Sequence, residues 1–414
     1  MGGGLIQVFA NDGPQDLHLT GNPDITFFKV VYKRHTNFAI ESVTHQLDGS
    51  FNSGGKSFLN IPRDGDLLYK LYLEWNPSEV LKNLQNNKII ASNLGYNMID
   101  YAEILIGGVR IDRHHGHWMN IYNSLTEYNP EGTFNSYSDS TKLTEPDEST
   151  ITQSLSFNYK GIQTHGSNTI TAEDVPKRAY IPFKFWFCKS TGLALPLIAL
   201  QYHTVTLNIK YNNFENIFQD GAITGNNISL NGNRIVAEYI YLDEEERRKF
   251  AKDSHEYLME QVQFETKETS KYETLVFNNP VKELIWCGTP TPLISAINHG
   301  TSNPNPICTG NWELKLNNHS RFPKRDYRYF TRTQIYQYHT GYGSIENNDS
   351  IAVYSFALSP EKHQPSGTCN FSRINTAILS CDGAGASNSP INVYAINYNV
   401  LRVINGMGGL GYSN

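Results

Sequence analysis

The segment Asp112-Arg-His-His-Gly-His-Trp118 gathers more potential metal ligands than any other stretch of this 414-residue chain. His115 and His117, two residues apart, could share one face of a strand with Asp112 nearby, a donor set that suits zinc. No second group with metal-site spacing accompanies them. The Arg and Trp within the segment suit a packed turn, so a strand end with hydrogen-bonded histidines competes with a metal site. Glu74 and Glu103 are the acids that would have to converge for glycoside hydrolysis, which needs two carboxyl groups flanking one bond. Among 40 acids, incidental surface or strand-end carboxylates account for them more readily. No Gly-x-Ser-x-Gly elbow, Walker loop or His-Glu-x-x-His occurs. Gly107-Gly108 and Gly406 to Gly409 read as turn glycines, since no helix of useful length follows either. The sequence therefore assigns no catalytic, cofactor-binding or metal-ligating residue, and no cofactor.

The elements around these residues are strands. Aromatics reach 12%, with 25 Tyr and 20 Phe, while charged residues are only 18%. Aromatic and β-branched side chains fit a pleated, half-buried surface. The Pro and Gly spread along the chain punctuate many short strands. Net charge is −6, against the basic face that phosphate neutralisation demands, so no direct nucleic-acid partner is expected. Arg321-Phe-Pro-Lys-Arg-Asp-Tyr-Arg328, the most basic run, reads as a polar strand end. Cys188, Cys287, Cys308, Cys369 and Cys381 are odd in number and contain no CxxC, which points to free thiols. The N-terminus lacks the pattern of a signal peptide, and Ile6 stands where a myristoylation motif has Ser or Thr. No run approaches the ~20 apolar residues that span a bilayer.

The same strand-and-turn grammar occurs twice, in four echoes. Tyr69–Trp75 is answered by Pro280–Trp286, and Glu103–Ile111 by Glu313–Arg321. Phe185–Gly192 is answered by Tyr354–Gly367, and Asn208–Asn213 by Ala395–Val400. The pattern predicts an all-β fold of two consecutive eight-stranded antiparallel jelly rolls, a double jelly roll, with short helices in the loops and connector. Residues 1–26 read as a leader, 27–213 as the first jelly roll, 214–236 as a linker, and 237–414 as the second, including a connector helix and an irregular glycine-rich tail. Ile25 to Tyr32 reads as the opening strand. The connector helix begins at a capping box, Asp243 with Glu246, and carries the i,i+4 pairs Asp243/Arg247, Glu244/Arg248 and Glu245/Lys249. A long polar excursion runs from Asn129 to Gly166. Absent chemistry over so long a chain points to a protein whose function is its shape. A carbohydrate-binding or glycoside-cleaving β-sandwich is the alternative.

Several segments are more specific. Thr20-Gly-Asn-Pro-Asp-Ile-Thr-Phe-Phe-Lys-Val-Val-Tyr-Lys-Arg-His-Thr-Asn-Phe-Ala-Ile-Glu41 resembles the opening of major capsid proteins of the nucleocytoplasmic large DNA viruses, chlorovirus-like members above all. Ile106-Gly-Gly through Gly116-His-Trp-Met119, Leu195 to His203, Leu242 to Phe250 with Ser254 to Leu258, Ser355 to Arg373, and Tyr398 to Arg402 with the tail complete the likeness in order. The resemblance implies a homotrimer of pseudo-hexagonal outline, with trimers tiling an icosahedral shell. It implies partnership with further copies and with minor capsid and penton proteins, and assembly in the host cytoplasm over an internal viral membrane that the chain does not span. The leader, Met1 to Thr20, and the tail, Gly406 to Asn414, are expected to face inward and touch minor proteins or a neighbouring capsomer. The long loops are expected to form outward towers, and the aromatic surplus to serve the trimer interface.

Overall fold

The structure, a computed structural model, describes residues 6–8, 22–30, 32–75, 89–90, 94–127, 154–158, 161–165, 178–213, 218–219, 232–268, 274–288, 310–341, 343, 349–382 and 390–412. Two units separate, Met1–Asn37 and Phe38–Asn414. The leader Met1 to Thr20, apart from residues 6–8, lies outside the described residues, as do most of the stretch from Asn129 to Gly166 and Cys308.

The second unit opens with β1 (Phe38–Gln46), β2 (Asp48–Gly49), β3 (Lys56–Asn60), β4 (Leu67–Trp75), β5 (Ile99–Ile106) and β6 (Val109–His115). Helix α1 (Gly116–Thr126) precedes β7 (Ala179–Pro182), β8 (Leu195–Pro196), β9 (Val205–Tyr211) and β10 (Arg234–Leu242). These strands make two antiparallel sheets, ordered β1-β10-β4-β7, with β8 also on β4, and β2-β3-β9-β5-β6. Helix α2 (Glu244–Lys252) leads into β11 (His255–Glu268), β12 (Pro280–Gly288), β13 (Asn311–Leu316) and β14 (His319–Asp326). After α3 (Gln334–Tyr338) come β15 (Ala352–Ser355), β16 (Cys369–Asn370), β17 (Ala377–Asp382), β18 (Pro390–Ile404) and β19 (Met407–Leu410). Their sheets run β11-β18-β12-β15, with β16 on β12 and β19 on β18, and β14-β13-β17.

The two halves have one topology. Reading β1-β10-β4-β7 against β11-β18-β12-β15 matches each strand in order, with β8 and β16 in the same side position. On the opposite sheets β9-β5-β6 answers β17-β13-β14, and Thr274, bridged to Ile378, stands where β3 pairs with β9. The β5–β6 turn is Gly107-Gly108 at φ 58° and 81°, and the β13–β14 turn is Asn317-Asn318 at φ 48° and 66°. Both pairs tolerate the left-handed conformation that two-residue hairpins require. Two of the four echoes fall on matched strands, and the third keeps the matched order, after β7 in one half and from the end of β15 in the other, although Phe185–Gly192 forms short 3₁₀ turns and no strand. The fourth does not: Asn208–Asn213 belongs to β9, whereas Ala395–Val400 lies in β18, the counterpart of β10. Two apolar strands with a Tyr-Asn step look alike whichever sheet they join.

Alternation builds the first sandwich. Val205, Leu207, Ile209 and Tyr211 of β9 are buried while the residues between them are half-exposed, the period-two signature of a strand with one face on the core. The β11-β18-β12-β15 sheet differs, for Val281 to Cys287 of β12 and Ile391 to Asn399 of β18 are buried without a break. One face, including Trp286, Leu284 and Ala395, packs with Trp312, Leu314 and Phe330 inside the second sandwich. The other, including Ile285, Tyr394 and Ile396, joins the core of the first sandwich. A sheet covered on both sides loses alternation for that reason.

Four expectations change. Residues 25–30 and 32 form no strand; a turn occupies 27–28, and Phe27 and Phe28 are 88% and 98% exposed. The opening strand is β1. Residues 234–242, split between the expected linker and second domain, pair with β1 and β4 as an interior strand of the first sandwich, so the change of sandwich falls at α2. The capping box is not made, since Asp243 gives no side-chain cap. Arg247 leaves Asp243 for the buried Asp66, 2.9 Å away, while Glu244–Arg248 forms as expected. The tail is regular through Leu410: Asn405-Gly406, at φ 52° and 79°, turn β18 back into β19. Glycine content argued against β19, but its pairing with β18 decided otherwise.

Candidate functional site

The histidine segment ends β6 and starts α1, so His115 and His117 do not share a strand face. Asp112 instead meets His114, with Oδ2 and Nε2 2.8 Å apart and both side chains buried. Its other oxygen accepts from the amides of Arg113 and Val262, at 3.0 and 3.3 Å. His114 stacks on Phe185 at 4.7 Å. His115 lies 4.9 Å from the Phe264 ring. His117 Nδ1 is 3.2 Å from the Tyr394 hydroxyl, and burial, helped by His115, lowers its pKa to about 4. Sequence reasoning passed over His114, whose burial depends on Phe185 from far along the chain.

These contacts belong to a seam joining the sandwiches. Trp118, Met119, Ile121, Tyr122 and Leu125 of α1 are all buried. Trp118 lies 5.1 Å from Tyr394 and 5.3 Å from Tyr122, and Tyr394 stacks on Phe264 at 5.0 Å. Aromatic pairs of this kind contribute about 0.5–1.5 kcal/mol beyond area burial. The last turn of α1 is capped from the second sandwich, where Gly341 donates its amide to the Leu125 carbonyl at 2.7 Å and Gly343 to Ser124 at 3.1 Å. A share of the aromatic surplus expected at a trimer interface is thus absorbed within one chain.

A buried charge cluster sits in the same seam. Glu260 of β11 pairs with Lys189 of the first sandwich and with Lys282 of β12, the latter at 2.8 Å. Lys189 also donates to the Tyr122 hydroxyl at 2.8 Å, and Lys282 to the Pro360 carbonyl at 2.6 Å. Burial pushes the Glu260 carboxyl up, but the two ammoniums outweigh it and hold its pKa at about 2. Burial and the neighbouring Lys189 lower the pKa of Lys282. The register of β12 on β18 slips between Val281 and Glu283. The bulge leaves Lys282 as the extra residue, which lets consecutive charged side chains find separate partners. Glu283 meets His339 at 3.1 Å, and Glu361 meets the other ring nitrogen, also at 3.1 Å. Burial would lower the His339 pKa, yet the two carboxylates raise it to about 9. Each of these groups is occupied by another from the same chain, so the cluster clamps.

The candidate acids do not form a pair. Glu74 of β4 binds Arg178 at 2.9 Å. Glu103, on the opposite sheet in β5, accepts from Arg113 at 2.6 Å and from Asn208 at 3.2 Å. The basic run forms β14, exposed except for Phe322. Arg321 lies over the Tyr354 ring at 5.6 Å and Arg325 over Tyr329 at 4.4 Å, and Lys324 pairs with Asp382. No helix among the described residues is long and apolar enough to cross a membrane.

Comparison with known proteins agrees with this construction. Residues 26–243 match the family described as major capsid protein N-terminus, and residues 246–409 the large eukaryotic DNA virus major capsid proteins. The chain is 41% identical over 436 residues to the major capsid protein of Pyramimonas orientalis virus, covering 100% of both. It is 33% identical over 473 residues to that of Paramecium bursaria Chlorella virus 1, again with 100% of both covered. A solved structure described as a quasi-atomic model of the PBCV-1 virus capsid aligns at TM-score 0.68 and 30% identity, over 94% of this chain and 100% of that one. The Faustovirus major capsid protein aligns at the same TM-score and 11% identity, over 95% and 94%, a likeness of fold alone. The relatives are structural proteins of the virion rather than enzymes. With its double jelly roll and both family matches, the chain belongs to the major capsid proteins of large eukaryotic DNA viruses.

Proposed function

We propose that the protein self-assembles as a homotrimer of pseudo-hexagonal outline, and that these capsomers tile the icosahedral shell of a large DNA virus. The observation that carries this reading is the matched strand order of the two sandwiches, held together by one continuous buried seam. Three such chains in a ring place six similar blocks around an axis, which lets one sequence fill near-hexagonal lattice sites. A cyclic trimer closes through heterologous contacts, so no open filament forms. An obligate interface of this kind buries on the order of 2,000 Å² or more. Contacts between trimers are smaller and more polar, because a curved shell needs adjustable joints.

Minor capsid and penton proteins complete the partners in this reading, with assembly in the host cytoplasm beside an internal viral membrane. The segment 1–26 acts as a leader ahead of the sandwiches, and function rests on contacts with no catalytic residue. Light scattering of the purified protein tests the trimer. The expected mass is three times the 46.8 kDa of one chain, with six-cornered rings in negative stain. A monomer throughout the micromolar range would overturn it.

A further inference from the structure

Trp186 carries a hydrogen-bond donor into the seam without an acceptor for it. It opens the 3₁₀ turn Trp186–Cys188, between Phe185 and Phe187, and all three aromatic side chains are buried. Its Nε1 is closed to solvent and has no hydrogen-bond partner among the described residues. A buried indole N–H ordinarily finds an acceptor, because leaving it bare forfeits its hydration for nothing. His114 presents a second such atom. Its Nε2 faces Asp112 at 2.8 Å, while Nδ1 is buried and has no partner among the described residues.

Both rings line one small cavity between the sandwiches. Lys184 and Lys189 share its wall on the first sandwich, and Glu260, Val262 and Ile396 contribute from the second. The cavity has a volume of about 10 Å³. A single water needs ~10–15 Å³ and two to four polar partners, so the room suits one water and nothing larger. The charges around it are already matched: Lys184 with Glu127, Lys189 with Glu260, and Asp112 against His114. What the site lacks is a neutral group that accepts from one side and donates to the other.

We propose that this cavity holds one ordered water that bridges the two sandwiches. It accepts from Trp186 Nε1 and donates to His114 Nδ1, whose lone pair is free when the ring proton sits on Nε2 toward Asp112. Its second hydrogen goes to the Glu260 carboxylate, which has lone pairs beyond those engaged by Lys189 and Lys282. Three bonds are the usual complement of a buried water. The seam is then joined through solvent as well as through rings and ion pairs, and the bridge lies within one chain whatever the assembly.

Crystals of the full chain, grown in sodium bromide and diffracting well enough to show ordered solvent, test the site. One peak is expected about 2.7–3.2 Å from Trp186 Nε1, from His114 Nδ1 and from a Glu260 oxygen. The anomalous map should be flat there, because a bromide would scatter and a water does not. An empty cavity, a peak out of reach of any of the three atoms, or a bromide signal would each overturn the proposal.

Discussion

The ammonium of Lys282 lies 2.8 Å from the Glu260 carboxylate, both side chains closed to solvent, and Lys189 of the other sandwich holds the second oxygen. One carboxylate therefore neutralises two cations across the junction. This unequal count makes the three residues differ in what their loss would do.

Glu260→Gln takes from the fully buried Lys282 and the partly buried Lys189 the carboxylate they share. Breaking a buried pair in this way costs about 3–5 kcal/mol. Lys282→Met leaves Glu260 paired with Lys189 and replaces a buried charge by a side chain of similar length, which costs less than about 1.5 kcal/mol. Urea unfolding of the two variants checks the asymmetry. Equal losses would show that the seam does not depend on this charge balance.

The pH dependence follows from two groups. His339 holds its proton up to about 9, against an ordinary value of 6.5. That contribution is fully present below pH 6.5 and disappears as the pH rises through 9. Stability should fall over this window by on the order of 3 kcal/mol, and His339→Gln should flatten the slope. Glu260 is the opposite case, its pKa lowered from 4.5 to about 2. Its contribution is present above pH 4.5 and is lost as the pH falls toward 2. Urea midpoints taken across both windows report the two slopes, and an alkaline slope retained in His339→Gln would remove the assignment to His339.

Trp118→Ala empties the centre of the seam, where the indole is 1% exposed. A buried Trp truncated to Ala costs about 3–5 kcal/mol. Calorimetry should show the lower midpoint, and two resolved transitions if the sandwiches then melt apart. A loss under about 1 kcal/mol would mean that α1 does not carry the junction.

Truncation after Ile404 removes β19. His203 Nδ1 lies 3.1 Å from the Gly408 carbonyl and 3.2 Å from its amide and bonds one of them, Gly406 accepts from the Tyr202 amide at 2.9 Å, and Tyr412 accepts from Asn399 at 3.0 Å. The shortened chain should lose about 2 kcal/mol or more and bind a hydrophobic dye. Unchanged thermal stability would show that the sandwiches do not depend on β19.

Much of the fold was legible in residue order alone. Alternation in β9, the Gly-Gly and Asn-Asn turns, and the repeated Trp-ending strands β4 and β12 are local patterns, and each set its element without reference to distant chain. The family likeness came from long ordered motifs of the same kind. The sequence could not say which strand lies beside which. The Tyr-Asn echo linked β9 to β18 because period and composition do not record the sheet a strand joins. β19 does not look like a strand, yet it pairs along its length with β18. The seam was illegible for the same reason. His114 with Asp112, Lys282 with Glu260 and His339 with Glu283 and Glu361 are bound by burial, and burial depends on surfaces brought together from residues far apart. A charged side chain in a sequence looks solvated until tertiary packing removes the water from it.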